Sequence, residues 1–153
     1  MKLSAKKLTM QFNDAGRTIE VFRDLDIEVP SGTSLAIVGE SGVGKTTLLY
    51  VLGGLERPVG GDVVLGDSFS YNAYAAEGKD LAQLRRKYLG FVFQLHYLLP
   101  EFDAVENVAM PLLIQGVDPA AARTRAESLL GRVGLSHRLS HRHAQGERGF
   151  HLP

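Results

Sequence analysis

The stretch that decides the fold of this chain is Gly39-Glu40-Ser41-Gly42-Val43-Gly44-Lys45-Thr46. It satisfies the pattern G-x-x-x-x-G-K-[ST], whose glycines let the backbone wrap around a phosphate with its amide hydrogens pointing inward. In this pattern the lysine reaches the β- and γ-phosphates and the hydroxyl ligates magnesium. The stretch therefore predicts a phosphate-binding loop (P-loop), with Lys45 as its cation and Thr46 as its metal ligand.

The segments on either side of the loop have the composition that the motif requires. Residues 34–38 (Ser-Leu-Ala-Ile-Val) form a short apolar run typical of a buried parallel strand. Residues 46–52 have helical length and end at Gly53-Gly54, which favours a helix stop. This order of strand, glycine loop and helix distinguishes the motif from a coincidental glycine turn.

The first third of the chain also contains the pattern of a β-hairpin. Residues 3–12 and 18–29 alternate between apolar and polar side chains, and Asn13-Asp14-Ala15-Gly16 between them is strong turn chemistry. Beyond the loop, we expect a short strand at residues 62–65. Residues 66–78 are polar and show no clear period, and we expect them to be a surface excursion.

The remaining elements are predicted to be mainly helical. Residues 80–88 read as a helix whose basic end, Arg85-Arg86-Lys87, is a solvated face, and residues 89–94 read as a second buried strand. Asp103, with Glu106 three places on, predicts a helix cap rather than a pair of catalytic carboxylates. The helix that it opens should run to about residue 114, and a second should span residues 119–133.

Composition excludes several classes of protein. Lys plus Arg equals Asp plus Glu at 17 each, so no net charge draws the chain to nucleic acid. The absence of cysteine excludes disulfides and thiolate metal sites. Since no apolar run approaches the roughly 20 residues that cross a bilayer, and no signal peptide is evident, we expect a cytoplasmic protein.

Several segments together resemble the ATP-binding subunits of ABC transporters. They are residues 38–49, which contain the loop, Leu-Gly-Gly-Leu-Glu-Arg-Pro at 52–58 and Leu-Gly-Phe-Val-Phe-Gln at 89–94. Within that family, Phe-Gln-Leu-His-Tyr-Leu-Leu-Pro-Glu-Phe at 93–102 and Glu-Asn-Val-Ala-Met-Pro at 106–111 are similar to the lipoprotein-releasing subgroup. Macrolide-efflux and peptide exporters share similar segments, so the subgroup is the weaker part of the resemblance.

The resemblance implies an α/β fold of the P-loop NTPase type, in its ABC form and incomplete. Its parts would be an N-terminal antiparallel β subdomain, the strand-helix unit of the P-loop, and the start of a helical subdomain. We expect this partial domain to occupy residues 1–135. Residues 136–153 are basic, rich in histidine and aperiodic, and they are predicted to be a disordered tail without secondary structure.

The resemblance also assigns the site residues, with ATP and Mg²⁺ as the cofactors. Gln94 aligns with the glutamine that contacts magnesium and the attacking water; read alone, it would be a polar residue closing a buried strand. Phe12 lies where the family places an aromatic side chain that stacks on adenine, and a core phenylalanine is the alternative. The predicted nucleotide contacts are Gly39, Glu40, Ser41, Gly42, Val43, Gly44, Lys45, Thr46, Thr47, Gln94 and Phe12, and the metal ligands are Thr46 and Gln94.

Three family features do not occur in this sequence: the Leu-Ser-Gly-Gly-Gln signature, the acidic strand with the catalytic glutamate, and the switch histidine. Because hydrolysis needs a positioned water and stabilised charge, we expect ATP binding without turnover. The implied partners are a second ATP-binding subunit and membrane permease subunits, at the inner face of the cell membrane. The alternatives are a non-catalytic nucleotide-binding module, an inactive remnant, or a self-sufficient P-loop kinase or GTPase, for which no Asn-Lys-x-Asp motif occurs.

The change of composition near Arg142 carries one further expectation. Residues 134–138 are similar to the family's lead-in to its signature, but residues 146–153 do not complete that phrase. A frameshift near Arg142, with the final residues read out of frame, is our interpretation. A natural truncation is the alternative.

Overall fold

The computed structural model describes residues 1–66, 69–72, 78–95 and 97–142. The chain divides into two compact units, Met1–Gly90 and Phe91–Pro153. Among the described residues, every helix falls short of the length and apolarity that crossing a membrane requires.

The first unit contains a four-stranded antiparallel sheet. Its strands are β1 (Leu3–Asp14), β2 (Arg17–Val29), β3 (Gly60–Leu65) and β4 (Phe69–Asn72), and their order in the sheet is β2-β1-β3-β4. The predicted hairpin of β1 and β2 is confirmed. Ala15 and Gly16 both have positive φ (45° and 81°), as expected of a two-residue turn that matches the twist of the strands.

Two helices follow in the same unit, α1 (Lys45–Leu52) and α2 (Gly78–Tyr88). The buried face of α1 consists of Leu48, Val51 and Leu52, spaced three and four residues apart, as one side of a helix requires. They pack with the inward side chains of the sheet and with one residue of α2. The other members of this buried core are Ala5, Leu8, Met10, Val63, Leu65 and Leu81.

The second unit is built on a pair of helices, α3 (Ala104–Ile114) and α4 (Pro119–Arg132). Asp103 caps α3: its carboxylate accepts from the Glu106 amide at 2.8 Å, and the Glu106 carboxylate accepts from the Asp103 amide at 2.8 Å. The predicted capping box is therefore confirmed. A small core joins the two helices, consisting of Val105, Ala109, Ala122, Ala126 and Leu130.

Two segments differ from their predicted strand structure. Neither residues 34–38 nor residues 89–94 form a strand. Leu35 is 52% exposed, Val38 is 87% exposed and Val92 is fully exposed. The prediction of two buried strands is wrong for these segments, because a parallel strand forms only when a neighbour supplies its hydrogen bonds, and no segment among the described residues pairs with either one.

Residues 66–78 contain a strand that the sequence did not predict. Phe69–Asn72 forms β4, which pairs antiparallel with residues 62–65 of β3, so that Phe69 lies opposite Leu65 and Asn72 lies opposite Asp62. The sequence of this part shows no clear period, and the strand forms because the edge of β3 offers hydrogen bonds to an extended neighbour. Residues 67–68 and 73–77 lie outside the described residues.

Regular structure continues beyond Leu135 within the described residues. Ser136–Arg138 forms a 3-10 helix, and Leu139 packs against the α3–α4 core. The amides of Ala104 and Val105, which have no partner within α3, donate to the carbonyls of His141 (3.0 Å) and Leu139 (3.2 Å). The expectation of no secondary structure is wrong at residues 136–138. Residues 143–153 lie outside the described residues, and the boundary at residue 135 stays a prediction.

Candidate nucleotide-binding site

The P-loop turns back on itself, and Lys45 holds it in that shape. The Lys45 Nζ donates hydrogen bonds to the carbonyl oxygens of Gly39 (2.9 Å) and Glu40 (2.6 Å). A lysine at the first position of α1 thus reaches across the loop to its beginning. The ammonium group therefore lies against the first two carbonyl groups of the loop that the motif predicts to bind a phosphate.

The loop depends on glycine where φ is positive. Gly42 has φ 82° and open space around it, whereas Gly44 has φ 101° and lies directly against β2. A Cβ atom at Gly44 would lie 2.3 Å from the Val21 Cγ1. Gly44 is therefore required twice, for its backbone conformation and for its lack of a side chain.

The N-terminus of α1 presents amide groups with no acceptor among the described residues. Gly44 is the N-cap residue and supplies no side-chain hydrogen bond. The first backbone bond of the helix runs from the Leu48 amide to the Gly44 carbonyl at 2.8 Å, so the amides of Lys45, Thr46 and Thr47 remain available. Three such donors, together with the positive end of the helix, form an anion-binding site.

The donor set of the loop fits a phosphate group with its magnesium ion. The three amides and the Lys45 ammonium are donors that match phosphate oxygens, and the space around the Cβ position of Gly42 is open. Thr46 is exposed, so its hydroxyl is accessible to a magnesium ion. The loop members Glu40, Ser41, Gly42 and Val43 are also exposed, while Thr47 is partly buried.

Phe12 is the predicted adenine-stacking residue, and it is not in the core. It lies on β1 opposite Ile19, and 42% of its surface is exposed. The structure thus places an accessible aromatic ring on the unit that carries the P-loop. Stacking of this ring on adenine stays a prediction.

Gln94, the other predicted site residue, belongs to the second unit. It is exposed and directly follows Phe93. Its contact with magnesium stays a prediction.

Two contacts to the P-loop helix were missed by reasoning from the sequence. Val21 abuts Gly44, a contact that the alternation of residues 18–29 does not indicate. Arg85, predicted to be a solvated helix end, is partly buried and donates from its Nη1 to the Gly54 carbonyl, just beyond the end of α1. The solvated interpretation is therefore wrong for Arg85, because this side chain donates to a backbone carbonyl of the turn that follows α1.

The charged groups nearest to Val21 in sequence form an exposed pair on β2. The Arg23 Nε donates to the Glu20 carboxylate at 2.7 Å, and this hydrogen bond lowers the pKa of Glu20. Both side chains are exposed to solvent, so this ion pair contributes little to the stability of the fold.

Comparison with known proteins identifies the family. The model of the ABC transporter family matches residues 22–150. A lipoprotein-releasing system ATP-binding protein LolD from Idiomarina loihiensis is 48% identical over 149 residues, which are 95% of this chain and 64% of that protein. The LolD protein of Legionella pneumophila is 44% identical, with the same coverage.

Solved structures give the same result. The dimeric, post-hydrolysis structure of the ATP-binding cassette MJ0796 bound to ADP and Pi has a TM-score of 0.83 and 28% sequence identity. The match covers 96% of this chain and 63% of that one. The structural match confirms the predicted fold class, an incomplete ABC-type P-loop domain.

The chain spans about 60% of the length of the curated relatives that it matches. Its resemblance to the LolD proteins extends over nearly all of its own residues. Since the family model matches most of the chain, this chain belongs to the ABC transporter family, as part of an ATP-binding subunit similar to LolD.

Proposed function

We propose that the chain binds ATP together with Mg²⁺ at the P-loop, as the N-terminal portion of a lipoprotein-releasing ATP-binding subunit. The observation that carries this proposal is that the Lys45 ammonium is bonded to the start of the loop while three amides at the N-terminus of α1 remain available. Such an arrangement suits the terminal phosphates of a nucleotide, because an anion there gains a charge-assisted hydrogen bond as well as the backbone donors.

Each predicted residue has a distinct role in this proposal. Lys45 holds the phosphates, Thr46 supplies a hydroxyl to magnesium, and Phe12 stacks on the base. Magnesium, when bound, neutralises phosphate charge and fixes the orientation of the phosphate oxygens. Gln94 would be a further ligand of this magnesium.

We also propose the partners that the subgroup implies. A second ATP-binding subunit would face this one, in support of which the related MJ0796 cassette is dimeric in its solved structure. Membrane permease subunits would place the assembly at the cytoplasmic face of the membrane. The names of the most similar relatives support lipoprotein release as the process.

Isothermal titration calorimetry on the 153-residue chain tests the binding proposal. Lys45→Ala should weaken binding of Mg-ATP by about 2 to 3 kcal/mol, roughly 30- to 150-fold, because a charge-assisted phosphate contact is lost. Lys6→Ala is the matched control: it removes an exposed lysine of β1, elsewhere on the same unit, and should leave the dissociation constant unchanged. Equal affinity of wild type and Lys45→Ala would contradict the assignment.

A further inference from the structure

Asn107, in the first turn of α3, makes an unusually complete set of hydrogen bonds. Its Oδ1 accepts from the Leu99 amide at 2.8 Å. Its Nδ2 lies within 3.1 Å of the carbonyl oxygens of Leu99 and Phe102 and 2.9 Å from that of Asp103. The two hydrogens of the amide group are thus shared among three acceptors, and both ends of the carboxamide are satisfied.

These bonds fasten a turn to the start of the helix. The Phe102 amide donates to the Leu99 carbonyl at 3.2 Å, which closes the turn at residues 99–102. Asp103 then caps α3. Asparagine is a poor helix former because its side chain competes for backbone groups, so its position within the first turn is explained by the bonds that it makes to residues 99–103.

Tyr97, two residues before this turn, contacts the residue that precedes Gln94. Tyr97 has a positive φ of 46°, a conformation that a tyrosine rarely adopts without support from its surroundings. Its ring meets the edge of the Phe93 ring, with centroids 5.2 Å apart and planes at 84°. Phe93 in turn stacks on Phe91 at 5.6 Å. Gln94 therefore lies between an anchored aromatic residue and the segment that Asn107 holds.

We propose that Asn107 is a positioning residue for Gln94. By fixing the turn at residues 99–102 against α3, it fixes Tyr97 and, through the Tyr97–Phe93 ring contact, the backbone that presents Gln94. The inference rests on the proposed role of Gln94 in magnesium binding, while the hydrogen bonds themselves do not depend on it.

The chemistry of the site explains why aspartate cannot replace this asparagine. An aspartate side chain at this position would have the same shape and could still accept from the Leu99 amide. Its charged carboxylate would lack the Nδ2 donors and would face the carbonyl oxygens of Leu99, Phe102 and Asp103. The carboxylates of Asp103 and Glu106 lie in the same turn of the helix and add further repulsion.

Nuclear magnetic resonance on the full chain tests the structural step. In the wild type, we expect nuclear Overhauser effects between the rings of Phe93 and Tyr97. Asn107→Ala should abolish them, and Asn107→Asp should weaken them while the helices remain folded. Gln115→Ala, which removes a carboxamide at the other end of α3, is the matched control and should leave them intact. Persistence of the ring contact in Asn107→Ala would overturn the proposal.

Calorimetry with ATP, in magnesium and in EDTA, tests the functional step. Magnesium should raise the affinity for ATP, and Asn107→Ala should reduce this gain by about tenfold, because residues that support a metal ligand contribute about that much to metal affinity. The affinity for ATP in EDTA should be unchanged. Gln94→Ala should reproduce this loss, and the double variant should lose no more. If the ring contact is lost but the magnesium gain is unchanged, Asn107 is merely structural and the proposal fails.

The proposed function can fail separately. If the wild-type chain binds no ATP in either condition, the nucleotide site itself is refuted. The ring contact then still decides whether Asn107 fixes the segment that presents Gln94.

Discussion

Replacing Gly44 by alanine should damage the P-loop through two separable effects. The first is backbone strain, because φ at Gly44 is 101° and an L-residue avoids this region. The second is a steric clash, because the new Cβ would lie 2.3 Å from the Val21 Cγ1. Gly42→Ala isolates the first effect, since Gly42 also has a positive φ of 82° but has nothing within 4 Å of its Cβ position.

The expected magnitudes follow from these distances. Positive φ costs an alanine about 1 to 2 kcal/mol, so Gly42→Ala should lower the free energy of unfolding by about that amount. The clash adds about 1 to 3 kcal/mol, a typical cost of overpacking. Gly44→Ala should therefore lose about 2 to 5 kcal/mol. Because Val21 is only partly buried, Val21→Ala alone should cost about 1 kcal/mol or less.

Urea unfolding of the four variants measures these free energies, and calorimetry measures Mg-ATP affinity in parallel. The double variant Gly44→Ala, Val21→Ala removes the methyl group that causes the clash but leaves the backbone strain. Its free energy of unfolding should therefore be about 1 to 3 kcal/mol higher than the value obtained by adding the losses of the two single variants. Strictly additive losses, or equal losses for Gly42→Ala and Gly44→Ala, would refute the contact between β2 and the loop.

Three further measurements address other parts of the chain. Asp103→Ala should lower the free energy of unfolding by about 1 to 2 kcal/mol in urea denaturation, since the capping box is lost; an unchanged midpoint would contradict it. The purified 153-residue chain should bind ATP without multiple turnover, and phosphate release that Lys45→Ala abolishes would show this to be wrong. Arg23→Ala should raise the pKa of Glu20 towards its ordinary value in a carboxyl titration by NMR. A carboxyl group whose pKa is lowered on folding stabilises the protein at pH values above its pKa in the unfolded chain. This contribution is lost as the pH falls through its pKa in the folded protein. Any difference in stability between the variant and the wild type should therefore be confined to pH values above the carboxyl pKa.

Features with local signals could be predicted from the sequence. The hairpin turn at Ala15-Gly16, the capping box at Asp103 and Glu106, and the helix after the P-loop each depend on residues within a few positions of one another. Their chemistry is complete within the segment, so tertiary contacts add to it without changing it. The same reasoning predicts Lys45 as the cation of the loop; the structure places its ammonium on the loop carbonyls, and its contact with phosphate stays a prediction.

Features that depend on distant residues could not be predicted in this way. The contact of Val21 with Gly44 joins β2 to the loop, and the bond from Arg85 to the Gly54 carbonyl joins α2 to the end of α1. Nothing in the local pattern of a strand or of a basic helix end indicates its partner. The strand at Phe69–Asn72 was missed for a related reason, because its pairing with β3 supplies the regularity that its sequence lacks.

Most of residues 34–38 are exposed, which raises the question of what maintains the P-loop beside them. Ile37 packs against the core of the first unit, and the further contacts that fix the loop lie on its C-terminal side. Leu48 and Val51 bury the inner face of α1 against the antiparallel sheet, and Gly44 is held against Val21. The Lys45 ammonium then ties the beginning of the loop, at Gly39, to the helix. The shape of the phosphate site is therefore set by the hairpin and α1, which explains how the loop keeps its turn while the apolar run before it pairs with no described strand.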